Sequence, residues 1–276
     1  KVSQAEVRAG VIGLCASRDA YRVELRAMGG HQKEAVVSEG GRGSQYRAVS
    51  DEGPGLNGTD LAPNPLSFFS AALPADILSR FMQLARKQGI AVESALTEQL
   101  NVYAFQGSFM RGDGKGFAEA PRIKLKITSD SPLSQISELA AAALRASPLA
   151  AMCREPLDNT FALFANGQRR EFAAPAPSTA PDAQDPLKVW KGVPAPLEGA
   201  NDLPGMIARL GGVATAAPTP AAPTDPTAPV RREIRVAGTT RFVGDFSESE
   251  IMSGTARWGF RSDERPGGDQ APSALG

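Results

Sequence analysis

Three features of the sequence predict an α+β fold. Short runs of alternating polarity are grouped as meanders, one long apolar segment of helical composition lies between Pro65 and Gly89, and the opening strand pattern returns after residue 231. The chain has 276 residues, 42% of them hydrophobic, which is ample for one large domain or one domain with appendages.

The first meander begins at Tyr21-Arg22-Val23-Glu24-Leu25-Arg26-Ala27, where polar and apolar residues alternate as in a half-buried strand. Gly29 and Gly30 turn the chain, and His31, the single histidine, falls in that turn. Residues 34–37 and 45–49 supply two further strands, separated by Gly40-Gly41-Arg42-Gly43. Residues 1–19 form an N-terminal arm whose patch Val11-Ile12-Gly13-Leu14-Cys15 reads either as arm or as edge strand.

The central helix follows an acidic loop. Pro63 and Pro65 punctuate its start, Asn64 or Ser67 can cap the free amides, and Arg86-Lys87-Gln88-Gly89 is a stop signal. Phe68, Phe69, Ala72, Leu73, Ile77, Leu78, Phe81, Met82 and Leu84 leave it apolar on almost every side, which predicts burial. Inside it sits one acid, Asp76, and a lone buried carboxylate is costly unless it is paired.

Beyond Gly89, residues 91–105 read as a strand and Arg111-Gly112-Asp113-Gly114 as a turn. Arg122-Ile123-Lys124-Leu125-Lys126-Ile127-Thr128 has strict period two, with the lysines outward. A second helix is expected over residues 134–145 and a last strand over residues 161–164. Asn57-Gly58-Thr59 and Arg111-Gly112-Asp113 fit a glycosylation sequon and an adhesion tripeptide, and both are read as turn chemistry.

Residues 173–230 are rich in Pro and Ala and read as linker, interrupted by Val189-Trp190-Lys191 and by Leu203–Leu210, the latter expected as a two-turn helix. The tail then repeats the opening. Ser262-Asp263-Glu264 matches Ser50-Asp51-Glu52, and Asp269-Gln270-Ala271-Pro272 matches Asp60-Leu61-Ala62-Pro63. The repeat runs only as far as the point where its helix should start, so a strand set with one bare apolar face is expected, to be covered by a second polypeptide that completes the C-terminal domain.

Thirty basic and thirty acidic residues balance, which argues against nucleic acid as partner, and no apolar run reaches membrane-spanning length. The chain starts at Lys1 rather than Met, so some sequence is expected to precede it, and no signal-peptide pattern is visible. Two cysteines, Cys15 and Cys153, make no disulfide framework and favour a reducing cytoplasm. Cys153 reads as a small buried hydrophobe. One histidine and no cysteine pair give no support for a metal site, and no cofactor is expected.

The ordered set Asp51-Glu52, Gly58-Thr59-Asp60, Ala62-Pro63-Asn64-Pro65-Leu66, Ala71-Ala72-Leu73, Gly89-Ile90-Ala91-Val92 and Ser147-Pro148 resembles the OsmC/Ohr family, osmotically inducible protein C and the organic hydroperoxide resistance proteins. The resemblance covers residues 20–172 as one domain, and makes residues 231–276 the first strands of a second, incomplete one. It implies antiparallel sheets wrapped around a buried central helix, in an interlocked dimer or, for a tandem chain, a pseudo-dimer. It also implies thiol peroxidase chemistry, for which this chain is ill equipped. The peroxidatic cysteine position holds Asp76 and the resolving position holds Ser147.

Asp76 then has three readings: a helix ion pair with Arg80, a desolvated carboxylate serving as general base or nucleophile, or a vestige kept for assembly. Since arginines assist the family's cysteine, Arg42 and Arg47, with Arg241 and Arg257 in the repeat, are candidates, the alternative being solvated strand-face arginines. Ser147 is a site candidate that also suits a turn cap. Three function classes follow: a non-peroxidatic subunit of a tandem enzyme whose partner carries the reactive residue, in a hetero-oligomer or a dimer of such pairs; a hydrolase of a small apolar substrate using Asp76; and a non-catalytic module for a hydrophobic ligand or for assembly.

Overall fold

A computed structural model describes residues 21–39, 44–56, 58–108, 111–154, 160–166, 168–171, 177, 206–212, 231–265 and 271–274. The first meander is β1 (Tyr21–Gly29), β2 (Gln32–Glu39) and β3 (Ser44–Ser50), an antiparallel sheet in that order. The glycines predicted to turn it have φ of +129° and +54°, the region that favours Gly. His31 is exposed in that turn.

The predicted helix is α1 (Pro65–Lys87), 23 residues long. Asn64 is its cap, accepting from the Ser67 backbone N–H at 2.9 Å and from Ser67 Oγ at 2.8 Å, and Pro65 opens the first turn where its missing N–H costs nothing. Pro74 lies inside the helix and removes the bond that would reach the Ser70 carbonyl. The side-chain amide of Gln99 donates to that carbonyl, so the buried oxygen keeps a partner and the helix runs on.

After α1 come β4 (Ser94–Gln106), β5 (Lys115–Ala118), β6 (Arg122–Thr128), α2 (Leu133–Ala146) and a one-turn α3 (Pro148–Met152) that the sequence did not suggest. β6 alternates as predicted, Ile123, Leu125 and Ile127 half-buried and the lysines exposed. In place of a single closing strand, β7 (Leu163–Ala165) and β8 (Gln168–Arg170) make a small hairpin.

The expected two-turn helix within the linker is instead a strand, β9 (Ile207–Gly211), paired with β12 (Ala256–Asp263). A segment this short nucleates a helix poorly, whereas the open edge of β12 offers it backbone partners. Val189-Trp190-Lys191, Arg42, Cys15 and the N-terminal arm lie outside the described residues. The tail supplies β10 (Arg231–Val243), β11 (Phe246–Ser253) and β12, and the larger sheet has the order β5-β4-β10-β11-β12-β9, with β6 also paired to β4.

α1 is buried between these parts. Its first turns pack Ala71 on Val236 and Ile251, its middle packs Leu73 and Ile77 on Ala150 of α3, and its end packs Phe81 and Ala85 on Leu139 and Ala143 of α2. The two matched motifs of the sequence each make the same backbone hydrogen bond. The Asp51 N–H donates to the Pro63 carbonyl at 3.2 Å, and the Asp263 N–H donates to the Pro272 carbonyl at 3.0 Å.

Candidate functional site

The two positions where the resemblance places thiols are brought together. Ser147 Oγ donates to Asp76 Oδ2 at 2.6 Å, and Arg80 Nε, one helical turn on, donates to Asp76 Oδ1 at 3.1 Å. Asp76 is 0% exposed and Ser147 1%. Helical spacing puts Arg80 beside Asp76, and the end of α2 delivers Ser147, which also caps α3 by accepting from the Ala150 N–H at 3.0 Å. Both carboxylate oxygens are therefore engaged, one by a guanidinium and one by a hydroxyl, as a buried charge requires. Chemically this is a polar knot tying α1 to the α2–α3 junction.

A cavity of about 290 Å³ lies along α1, and Asp76, Arg80 and Ser147 are not among the residues that line it. Phe68, Phe69, Ala72 and Ala75 of α1, Leu149 of α3 and Phe260 of β12 give it an apolar wall. Val37, Tyr46 and Ala48 of the first sheet and residues 272–274 close other sides. Phe68 and Phe260 meet edge to face at 5.3 Å between centroids.

Among the described residues, the arginine that reaches Asp76 is Arg80. Arg47 Nε pairs with buried Glu34 at 3.0 Å, and Arg26 Nε reaches the same carboxylate at 2.7 Å. Period two explains this placement: Tyr46 and Ala48 face the cavity, so Arg47 between them faces away. Arg241 pairs with Glu248 and Arg257 with Glu250, as exposed ladders on β10–β12. Such pairs contribute roughly 0–1 kcal/mol each.

Cys153 is exposed, not the small buried hydrophobe expected. Desolvation of its sulfur, only partly offset by Arg154, pushes the thiol above its ordinary value, so it stays protonated at neutral pH and is a poor nucleophile.

Asp51 plays a part that its motif does not announce: its carboxylate organises the loop before α1. Asp51 is fully buried and accepts from the Glu52 N–H at 2.8 Å, the Thr59 N–H at 3.2 Å, Thr59 Oγ at 2.5 Å and the Leu61 N–H at 3.1 Å. Gly58 is required beside it, since a Cβ there would lie 1.8 Å from the Glu52 carbonyl oxygen. Burial alone would raise the Asp51 pKa, but the Thr59 hydroxyl and the three backbone donors outweigh it and hold the carboxyl below its ordinary value.

A depressed folded pKa means stability that is present above the unfolded value of about 4 and lost as pH falls through the folded one. Asp51→Asn should therefore cost about 2–4 kcal/mol at pH 7, because it leaves buried N–H donors without an acceptor. Its penalty relative to the native chain should shrink when urea midpoints are measured below pH 4. A penalty independent of pH would show that the charge is not what holds the loop.

No family model matches this sequence, and no curated protein matches it. Among solved structures it is similar to an OsmC-like hydroperoxide resistance protein from Jannaschia sp. CCS1, at 18% identity over 55% of this chain and 96% of that one, with a TM-score of 0.36. It is also similar to a Psychrobacter arcticus 273-4 protein described as an osmotic-stress-induced and detoxification-response protein, at 14% identity over 47% of this chain and 85% of that one, with a TM-score of 0.35.

Proposed function

We propose that this chain is a subunit of a tandem OsmC-like enzyme, non-peroxidatic in its own half, with the reactive residue supplied by a partner polypeptide that completes the second domain. The observation that carries this reading is the 2.6 Å hydrogen bond between Ser147 and Asp76. The two positions keep the adjacency that a peroxidatic and a resolving thiol need, while holding side chains that can do neither job. Peroxide reduction requires a thiolate to attack an oxygen, expelling the alcohol and leaving a sulfenic acid. A second thiol must then displace water to form a disulfide, which an external dithiol reduces. An ion-paired carboxylate and a hydroxyl cannot supply the two electrons that a thiolate gives to the peroxide.

The test restores the sulfurs. In a background of Cys15→Ser and Cys153→Ser, the Asp76→Cys/Ser147→Cys variant should consume an organic hydroperoxide with a dithiol reductant and form one disulfide. The parent should do neither. Turnover by the thiol-free parent, or absence of the disulfide in a folded double variant, would overturn the reading.

Two other readings have an observation each. Ser147 donating to Asp76 is the geometry of a hydroxyl nucleophile and its base, which favours hydrolysis of a small apolar substrate. Burial of both groups counts against it. The apolar cavity favours binding of a hydrophobic ligand without turnover. Loss of ester hydrolysis in Asp76→Asn would select the first, and ligand binding unchanged in that variant the second.

A further inference from the structure

A second cavity, of about 330 Å³, shares no lining residue with the first and takes none from the Asp76, Arg80 and Ser147 knot. It lies where the loop before α1 meets β10 and the turn between β11 and β12. Asn64 ties these parts together, donating through Nδ2 to Ser253 Oγ at 2.8 Å while its side-chain oxygen caps α1. The walls therefore come from elements that the fold holds rigidly, and the charges on them can be counted.

Its charged lining residues are Glu52, Asp60, Glu233 and Arg235. Arg235 Nε pairs with Glu233 at 2.7 Å, and Arg209 of β9 pairs with Asp60 at 3.0 Å. Glu52 is left over. Among the described residues no hydrogen bond or ion pair reaches its half-buried carboxylate, and the nearby Lys33 ammonium donates to the His31 carbonyl at 2.8 Å instead. Burial pushes the Glu52 carboxyl above its ordinary value, against the pull of Lys33 and His31. The cavity thus holds one carboxylate more than it pairs. A second observation shows what its walls accept. The Arg209 guanidinium lies 4.3 Å over the Trp258 ring and against Asp60, so two of the lining residues already hold an organic cation supplied by the chain itself.

We propose that this cavity binds a small organic ammonium ion, its charge on Glu52 and its hydrocarbon part against Pro54, Leu56 and Ile234. The charge count selects the ligand. An anion would add to an existing excess of negative charge, and a neutral apolar molecule would strip water from Glu52 without giving it a partner. An ammonium supplies that partner through charge-assisted hydrogen bonds, and the apolar wall favours a hydrocarbon body over a hydrated inorganic cation. Among the described residues no three ligating side chains converge as a metal ion would require. The assignment is independent of the subunit reading above, since it uses neither Asp76 nor Ser147.

The test is isothermal titration calorimetry of the full chain at pH 7 with hexylammonium chloride, in an amine-free buffer, with hexanol and hexanoate as controls. Hexylammonium should bind saturably at one site and the two controls should not. Glu52→Gln keeps the shape of the side chain and should weaken binding roughly 10–100-fold, the worth of one hydrogen bond to a charged group. Its urea midpoint should match that of the parent, because the Glu52 side chain holds nothing in the fold. Arg235→Met leaves Glu233 without its guanidinium and should tighten binding several-fold. Equal binding of hexanol or hexanoate, an affinity unmoved by Glu52→Gln, weaker binding in Arg235→Met, or no saturable binding at millimolar concentrations would overturn the assignment.

Discussion

Arg80→Met is expected to destabilise the chain by about 3–5 kcal/mol, whereas Asp76→Asn should cost only about 1–2 kcal/mol. The asymmetry follows from where each partner lies. Asp76 is fully buried, so removing the guanidinium leaves a carboxylate whose one remaining partner among the described residues is the Ser147 hydroxyl. The Arg80 side chain is 31% exposed, so when Asp76 becomes neutral the guanidinium still reaches water and Ser147 still has an amide oxygen to donate to. Urea unfolding followed by circular dichroism at pH 7 reads both values. Equal costs, or a larger cost for Asp76→Asn, would show that the buried charge is not the critical element of the knot. The comparison also bears on function: a carboxylate that must stay paired for the fold to survive is a poor candidate for a base that gives up its partner during turnover.

Much of the fold was legible because its signals are local. The strict alternation of Arg122-Ile123-Lys124-Leu125-Lys126-Ile127-Thr128 is a property of the strand alone, and the strand β6 spans those residues. The start of α1 was legible to within the choice between Asn64 and Ser67, and its stop to within a residue. The Arg80 partner of Asp76 was legible for the same reason, since four residues is one helical turn.

What was not legible depends on chain segments far apart. The strand β9 has no strand signal of its own and takes its conformation from the edge of β12 some fifty residues later. Arg47 was a site candidate until the register of β2 on β3 placed it on the face with Glu34. The contact between Asp76 and Ser147 spans 71 positions, and no periodicity connects them. Only the family resemblance pointed to both. Gln99, which satisfies the carbonyl freed by Pro74, could have been suspected as a polar residue on a buried strand, but its partner could not.

Phe81→Ala should cost about 3–5 kcal/mol, while Phe69→Ala on the same helix should cost about 1–2 kcal/mol. Phe81 is fully buried among Ala85, Ile90, Leu139 and Ala143, so its removal opens a void that close-packed neighbours cannot fill. Phe69 already borders the 290 Å³ cavity, so its removal enlarges a space that exists. Urea midpoints of the two variants measure the difference, and equal costs would mean that the cavity is filled in solution. The consequence of losing Phe81 extends to the site. Leu139 and Ala143 belong to α2, whose end carries Ser147, so the packing around Phe81 is what brings the hydroxyl within 2.6 Å of Asp76. In the Asp76→Cys/Ser147→Cys background, Phe81→Ala should therefore slow disulfide formation even at temperatures where the variant remains folded. An unchanged rate would show that α3, through Ala150 against Leu73 and Ile77, holds Ser147 in place by itself.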